Sequence, residues 1–315
     1  MKTLLKIFFG LIILAGAALG GLVWMTPPPP AKPVYPAVPE TGAVAASLLD
    51  GKTGEILAEK EGDLRIYPAS TTKILTCIIA LEEGKAMLDR DAVITPRAMG
   101  QDGTNLGVRP DMPISLHELL YGMMLISGND AAVAAAETVG GSYDRFVEMM
   151  NEKAQSIGAV HSHFANPNGL TDPHHYSTAN DMVRIAAYAM RNPDFRDIVK
   201  RSTYPMQYRN GLYRDVKNRN EFLDSGYEGA DGVKTGMTEA AGDCVIVSAE
   251  RNGRLLIAGF YNDEKRWADA KAWLDYGFAA AALEEDYEKR LAAEPKIYKM
   301  INQWLGKEPY EQKMA

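Results

Sequence analysis

The stretch Tyr67-Pro68-Ala69-Ser70-Thr71-Thr72-Lys73-Ile74-Leu75 opens an apolar run that continues to Leu81. It reads as a helix from Ser70 to about Glu82, with Pro68 and Ser70 suited to its first turn. Positions i and i+3 share one helix face, so the Ser70 hydroxyl and the Lys73 amine can meet. A hydroxyl attacks poorly at its own pKa, and a desolvated lysine of lowered pKa can activate it. A Ser-x-x-Lys is expected about once by chance in a chain this long, so partners elsewhere must support it.

Before this stretch, Ala43 to Leu49 and Glu55 to Ala58 flank Asp50-Gly51-Lys52-Thr53-Gly54, the pattern of a β-hairpin. After it come helical patterns. Ser115-Leu116-His117-Glu118 has capping-box spacing, with Leu119, Leu120, Met123 and Met124 on one face; that stripe is core rather than a ligand box. Helices are expected from Asp130 to Val139, Tyr143 to Ser156 and Thr178 to Met190. Three strands follow at Gly232 to Gly236, Asp243 to Ala249 and Leu255 to Tyr261, turning at Thr238 to Gly242 and Asn252-Gly253, before a helix over Lys265 to Ala280. The order defines an α+β fold, an antiparallel sheet built from both chain ends and flanked by helices, with a mostly helical insertion over about 84–200.

The first 25 residues place Lys2 and Lys6 before an uncharged run from Ile7 to Met25, which fits an export signal or an uncleaved membrane anchor. Residues 26–40 hold seven prolines and read as an extended polyproline linker. The folded body then spans 41–280, and a helical tail spans 281–315, with Ile297, Met300, Ile301, Trp304 and Leu305 at helical spacing. The tail can dock on the body or lie in a membrane interface. Either fate of the N-terminus puts the body outside the cytoplasm.

A net charge of −7, with both signs mixed along the chain, argues against nucleic acid as a partner. Cys77 and Cys244 each sit in apolar runs and read as buried small hydrophobes rather than a disulfide framework. The five histidines lack metal-ligand spacing, and His174-His175 beside Pro173 reads as an exposed loop.

Two further motifs stand in order behind Ser70-x-x-Lys73: Ser127-Gly128-Asn129 and Lys234-Thr235-Gly236. The second Lys-Thr-Gly, at Lys52, precedes the serine and lies in a hairpin turn, so it is discounted. The set is chemically coherent. Ser70 attacks, Lys73 takes its proton, Ser127 relays a proton to a leaving amine and Asn129 bonds a substrate amide. Lys234 adds positive charge, Thr235 can donate to a substrate carboxylate, and the N–H groups of Ser70 and Met237 form an oxyanion hole.

Ser-x-x-Lys, Ser-x-Asn and Lys-Thr-Gly in this order resemble the penicillin-recognising serine enzymes. More narrowly the chain resembles the low-molecular-mass penicillin-binding proteins that are serine-type D-alanyl-D-alanine carboxypeptidases. Tyr67 to Thr76, Ser127 to Ala131, Phe164 to Leu170, Tyr176 to Ala179, Asn218 to Asn220 and Asp231 to Gly236 carry the resemblance over about 43–280. It implies a β-lactamase/transpeptidase-like fold and Ser70 as the acylated nucleophile with Lys73 as base. It also implies Ser127 and Asn129 on one side of a cleft, facing Lys234, Thr235 and Gly236. Arg266, in an Arg-x10-Gly-Phe ending, matches an arginine for the terminal carboxylate, and Arg219 matches a second cleft-side arginine. The substrate would be a peptidoglycan stem peptide ending in D-Ala-D-Ala, and β-lactams would inhibit covalently. The resemblance implies no metal or organic cofactor.

Met237 stands where an aromatic residue or histidine is usual, which bears on substrate preference. Only 35 residues follow Ala280, too few for the β-rich C-terminal domain common in the family, so the membrane contact is expected through the N-terminal segment, in the periplasm or on the outer face of the cell membrane. A class A β-lactamase shares the three motifs but needs a glutamate to activate the deacylating water, and Gly158 to Arg184 contains none. A catalytically silent peptidoglycan-binding protein would not need Ser70, Lys73, Ser127 and Lys234 together.

Overall fold

The computed structural model describes residues 2–307. They form two units, residues 38–278 in one and residues 2–37 with 279–307 in the other. In chain order the helices and strands are α1 (Lys2–Met25), β1 (Ala45–Asp50), β2 (Ile56–Lys60), a 3-10 turn (Ala69–Thr72) leading into α2 (Lys73–Glu83), and α3 (Pro96–Met99). Next come α4 (Leu116–Leu125), α5 (Asn129–Gly140), α6 (Tyr143–Ile157), α7 (Ala179–Ala189) and α8 (Pro193–Val199). The chain continues with β3 (Thr203–Gln207), β4 (Tyr213–Lys217), β5 (Ala230–Thr238), β6 (Gly242–Arg251), β7 (Arg254–Tyr261), α9 (Arg266–Ala293) and α10 (Lys296–Trp304).

The sheet is antiparallel in the order β2-β1-β7-β6-β5, so the N-terminal hairpin joins the C-terminal strands through β1 and β7. Both its faces are covered, which is why the central strands read as continuous apolar runs instead of alternating ones. Leu256, Ala258 and Phe260 of β7 point with Val245 and Val247 of β6 toward α9, where Ala270, Trp273 and Leu274 close one core. The Phe260 and Trp273 rings meet edge to face, 5.3 Å between centroids, and the Trp273 indole N–H donates to the Pro39 carbonyl at 2.9 Å. Ile257, Tyr261, Cys244 and Ile246 point the other way, into the larger core built by α2 and α4 to α8. Cys77 and Cys244 are both buried there as free thiols.

Helix α2 is buried from Lys73 to Leu81 and is central to that core, as a helix apolar on nearly every side over that span must be. Ser115 caps α4 by accepting from the Glu118 N–H at 3.2 Å, but the Glu118 carboxylate does not return to the cap. It takes the Tyr204 hydroxyl at 2.8 Å and the Gln207 N–H at 2.7 Å, tying α4 to β3.

The helical block is not followed directly by the sheet strands. The β3–β4 hairpin intervenes, in the stretch between Met190 and Gly232 to which the sequence pattern assigns no element. Each of its strands buries one residue, Met206 or Val216, so no alternation marks them, and Pro205 lies inside β3. Helix α9 also runs well past the expected end at Ala280. In the smaller unit, α1 carries a 20-residue apolar stretch, Lys6–Met25, of mean hydropathy 2.3 and with none of it buried. The Asn302 side-chain amide of α10 donates to the Pro27 carbonyl and to Glu294, each at 3.0 Å. The last eight residues of the expected helical tail lie outside the described residues.

Candidate active site

Ser70 sits in the 3-10 turn, one residue after Ala69, whose φ of 48° lies in the left-handed region. Ser127, in the tight link between α4 and α5, has φ 68°. Such conformations cost about 1–3 kcal/mol each and persist where surrounding structure enforces them. At Ala69 the enforcement is visible. Gly169 (φ 86°) lies so close behind that a Cβ there would sit 1.8 Å from the Ala69 carbonyl oxygen, and Gly236 of β5 approaches from the front, its ideal Cβ position 2.9 Å from the Ser70 nitrogen. The nucleophile turn is clamped between a loop and the edge strand of the sheet.

Lys73 is fully buried and its amine is held at three points. Nζ lies 2.7 Å from Asn129 Oδ1, 2.6 Å from the Asn168 carbonyl oxygen and 3.0 Å from Ser70 Oγ. A neutral amine has two N–H bonds and one lone pair. The two carbonyl oxygens can only accept, so they take the N–H bonds and leave the lone pair for the Ser70 hydroxyl. Burial drives the Lys73 pKa well below its ordinary value, and the positive charge of Lys234 pushes it further, against the opposing pull of Asp130. Lys234 is itself buried and lowered to about 7, by desolvation and then by Arg219, and it donates to the Thr235 carbonyl at 3.0 Å. Both lysines are thus held below their ordinary pKa by burial, and each one's charge disfavours a second charge beside it.

Asp130 holds the opposite wall. Its buried carboxylate accepts from the Leu106, Gly107, Val108 and Ala131 N–H groups at 2.6–2.9 Å, stitching the 106–108 loop to the start of α5. Asn129 beside it is buried and committed within the fold, its amide donating to the Asp102 carbonyl at 2.7 Å while its oxygen takes Lys73. Sequence reasoning gave Asn129 a substrate amide; in the structure its side chain also orients Lys73.

Ser70, Ser127, Arg219, Thr235, Gly236, Met237 and Arg266 line one cleft of about 570 Å³. Lys73, Asn129 and Lys234 lie buried in its wall. Asn218, beside Arg219, also lines it; Thr104, Lys217, Glu221, Asp243 and Trp267 complete the lining and were missed, because nothing local in the sequence marks them. Arg219 donates to the Thr104 hydroxyl at 3.0 Å, and Arg266 is ion-paired with Asp243. Met237 is 66% exposed at the lip.

His175 is not on an exposed loop as its neighbours suggested. His174 is exposed, but His175 is buried behind the nucleophile turn, its Nδ1 accepting from the Ala165 N–H at 3.1 Å and its Nε2 2.8 Å from the Thr72 hydroxyl. With Nδ1 accepting, Nε2 carries the hydrogen and donates to Thr72. Burial lowers its pKa from 6.5 to about 4. The unfolded chain then binds a proton near pH 6.5 that the folded protein resists until about pH 4, so stability is lost as pH falls through this window. The loss reaches about 3 kcal/mol at its acid end. Urea unfolding at pH 7 and pH 4.5 checks this: His175→Asn should lose clearly less than the parent between the two, and equal losses would remove His175 from the account.

A hydroxyl in contact with a buried amine of lowered pKa, at the mouth of a cleft whose far wall is a sheet edge, defines a serine acyl-transfer enzyme. The chain belongs to the D-alanyl-D-alanine carboxypeptidase family of serine hydrolases (peptidase S11), whose model matches residues 32–265. It is 33% identical over 267 residues to the D-alanyl-D-alanine carboxypeptidase DacF of Bacillus subtilis, covering 82% of this chain and 68% of that one. It is also 33% identical to DacA of Escherichia coli over 78% of this chain, and spans 63% of DacA's length. Among solved structures, the Streptomyces K15 DD-transpeptidase superposes with a TM-score of 0.71 at 32% identity, over 78% of this chain and all of that one. The α+β fold, with its antiparallel sheet and helical block, is thus the DD-peptidase and β-lactamase-like fold.

Proposed function

We propose that this protein removes the terminal D-alanine from peptidoglycan stem peptides through an acyl-enzyme on Ser70, and that β-lactams acylate the same serine. The observation that carries this is the hydrogen bonding of Lys73, whose two acceptors leave its lone pair only one partner, Ser70 Oγ. Lys73 takes the Ser70 proton as Oγ attacks the carbonyl between the two D-alanines. The N–H groups of Ser70 and Met237 meet the developing oxyanion, with the Lys234 charge behind them. Ser127 passes a proton to the departing amine, the C–N bond breaks, and water then hydrolyses the ester. Thr235, Arg266 and Arg219 hold the terminal carboxylate.

The stretch from Gly158 to Arg184, which packs against the nucleophile turn through Asn168 and Gly169, contains no glutamate to activate a deacylating water. A β-lactam acyl group would accordingly be released slowly. The apolar α1 and the proline-rich residues 26–40 support a body held at the outer face of the cell membrane. Release of D-alanine from a pentapeptide ending in D-Ala-D-Ala tests the reaction. The parent protein should release one D-alanine per peptide and Ser70→Ala none above background; release by Ser70→Ala at the parent's rate would exclude the assignment.

A further inference from the structure

Arg266 lines the cleft, yet its charge is already engaged. Nη1 forms an ion pair with Asp243 Oδ1, with the Arg266 side chain 20% and the Asp243 side chain 36% exposed. Among the described residues the contact is one of charge rather than of aligned hydrogen bonds, since Arg266 Nε and Nη1 are shut from solvent with no hydrogen-bond partner. Asp243 faces the cleft from β6, directly across the ladder from Met237 of β5, and so stands beside the lip of the cleft. The Trp267 ring, 5.2 Å from the guanidinium, bounds it on another side. A substrate carboxylate reaching Arg266 would meet a second carboxylate already there. Like charges at this spacing repel, and the attraction of a shared cation is divided between them.

We infer that Asp243 is a specificity-determining residue which, acting through Arg266, lowers the preference of the cleft for a free terminal carboxylate, so that peptides with an uncharged, amidated end are accepted beside peptide acids. This rests on the proposed hydrolase reading, which supplies the substrate class. Removing the Asp243 charge frees Arg266 for the ligand and strengthens binding of acids alone. A merely structural ion pair would, when broken, weaken acids and amides together.

The test uses the full chain carrying Ser70→Ala, so that ligands bind without turnover. Dissociation constants are measured by calorimetry for an N-acylated peptide ending in D-Ala-D-Ala and for the same peptide as its C-terminal amide. Asp243→Asn should tighten the acid about fivefold and leave the amide unchanged, the size expected of one partly exposed charge. Asp243→Ser should act in the same direction, and adding Arg266→Gln should abolish the gain. An unchanged acid-to-amide ratio, or an acid that binds more weakly, overturns the inference. Failure of the hydrolase reading shows separately, as the absence of Ser70-dependent D-alanine release from the parent protein, whatever the binding ratio does.

Discussion

Lys73→Met should acylate with penicillin about a thousandfold more slowly than the parent protein while melting at or above the parent's temperature. The rate loss follows from removing the base in contact with Ser70 Oγ, since a positioned general base contributes about 10² to 10⁴ in rate. The stability follows from the other side of the same fact. A buried amine is costly, and methionine fills nearly the same volume without it, at the expense of the contacts to Asn129 and Asn168. The pH profile adds a signature that misfolding cannot imitate. In the parent, the acid limb of the second-order acylation rate reports Lys73 losing its proton, and the alkaline limb reports Lys234, lowered to about 7, losing its charge. The acid limb should vanish in Lys73→Met and the alkaline limb remain. Stopped-flow acylation with a chromogenic β-lactam measures both, and a normal rate in Lys73→Met would show that another group takes the proton.

Gly169→Ala should destabilise the protein by about 3 kcal/mol or more and cut acylation with it. Two costs combine. The residue has φ 86°, where an L side chain is strained, and its Cβ would fall 1.8 Å from the Ala69 carbonyl oxygen, so backbone must move against backbone. The segment that moves also carries the Asn168 carbonyl, one of the two oxygens that orient Lys73. Gly158 supplies the control. It caps α6 with φ 91° but has nothing within 4 Å of an added Cβ, so Gly158→Ala carries the conformational cost alone, about 1 kcal/mol, with acylation intact. Thermal melts and acylation rates of the two variants separate the effects. Identical behaviour would mean that the clamp behind the nucleophile turn has no role.

The parts of this architecture that the sequence displays are those written locally. An unbroken apolar run marked α2, a Ser-x-x-Glu spacing marked the start of α4, and Asn252-Gly253 marked the β6–β7 turn. Three short motifs in order were enough to nominate Ser70, Lys73, Ser127 and Lys234. What stayed hidden depends on contacts between distant segments. His175 is buried because the loop carrying it packs behind Thr72, about a hundred residues away, while its neighbour His174 faces water. The hydrogen bonds of Asn129 to Lys73 and Asp102 likewise join distant segments, and its motif beside a serine does not display them. Asp243, near the start of β6, meets Arg266 at the start of α9, a contact that no spacing announces. The β3–β4 hairpin, one buried side chain per strand, gave periodicity nothing to detect.

On the proposed mechanism one hydroxyl, activated by one buried amine, forms a covalent acyl-enzyme in this cleft. Intact-mass spectrometry of the full chain after incubation with benzylpenicillin, followed by peptide mapping, tests it most directly. A single adduct of the penicillin's mass should appear on the peptide containing Ser70 and be absent in Ser70→Ala. No adduct on the folded parent protein, or an adduct that persists in Ser70→Ala, would contradict it.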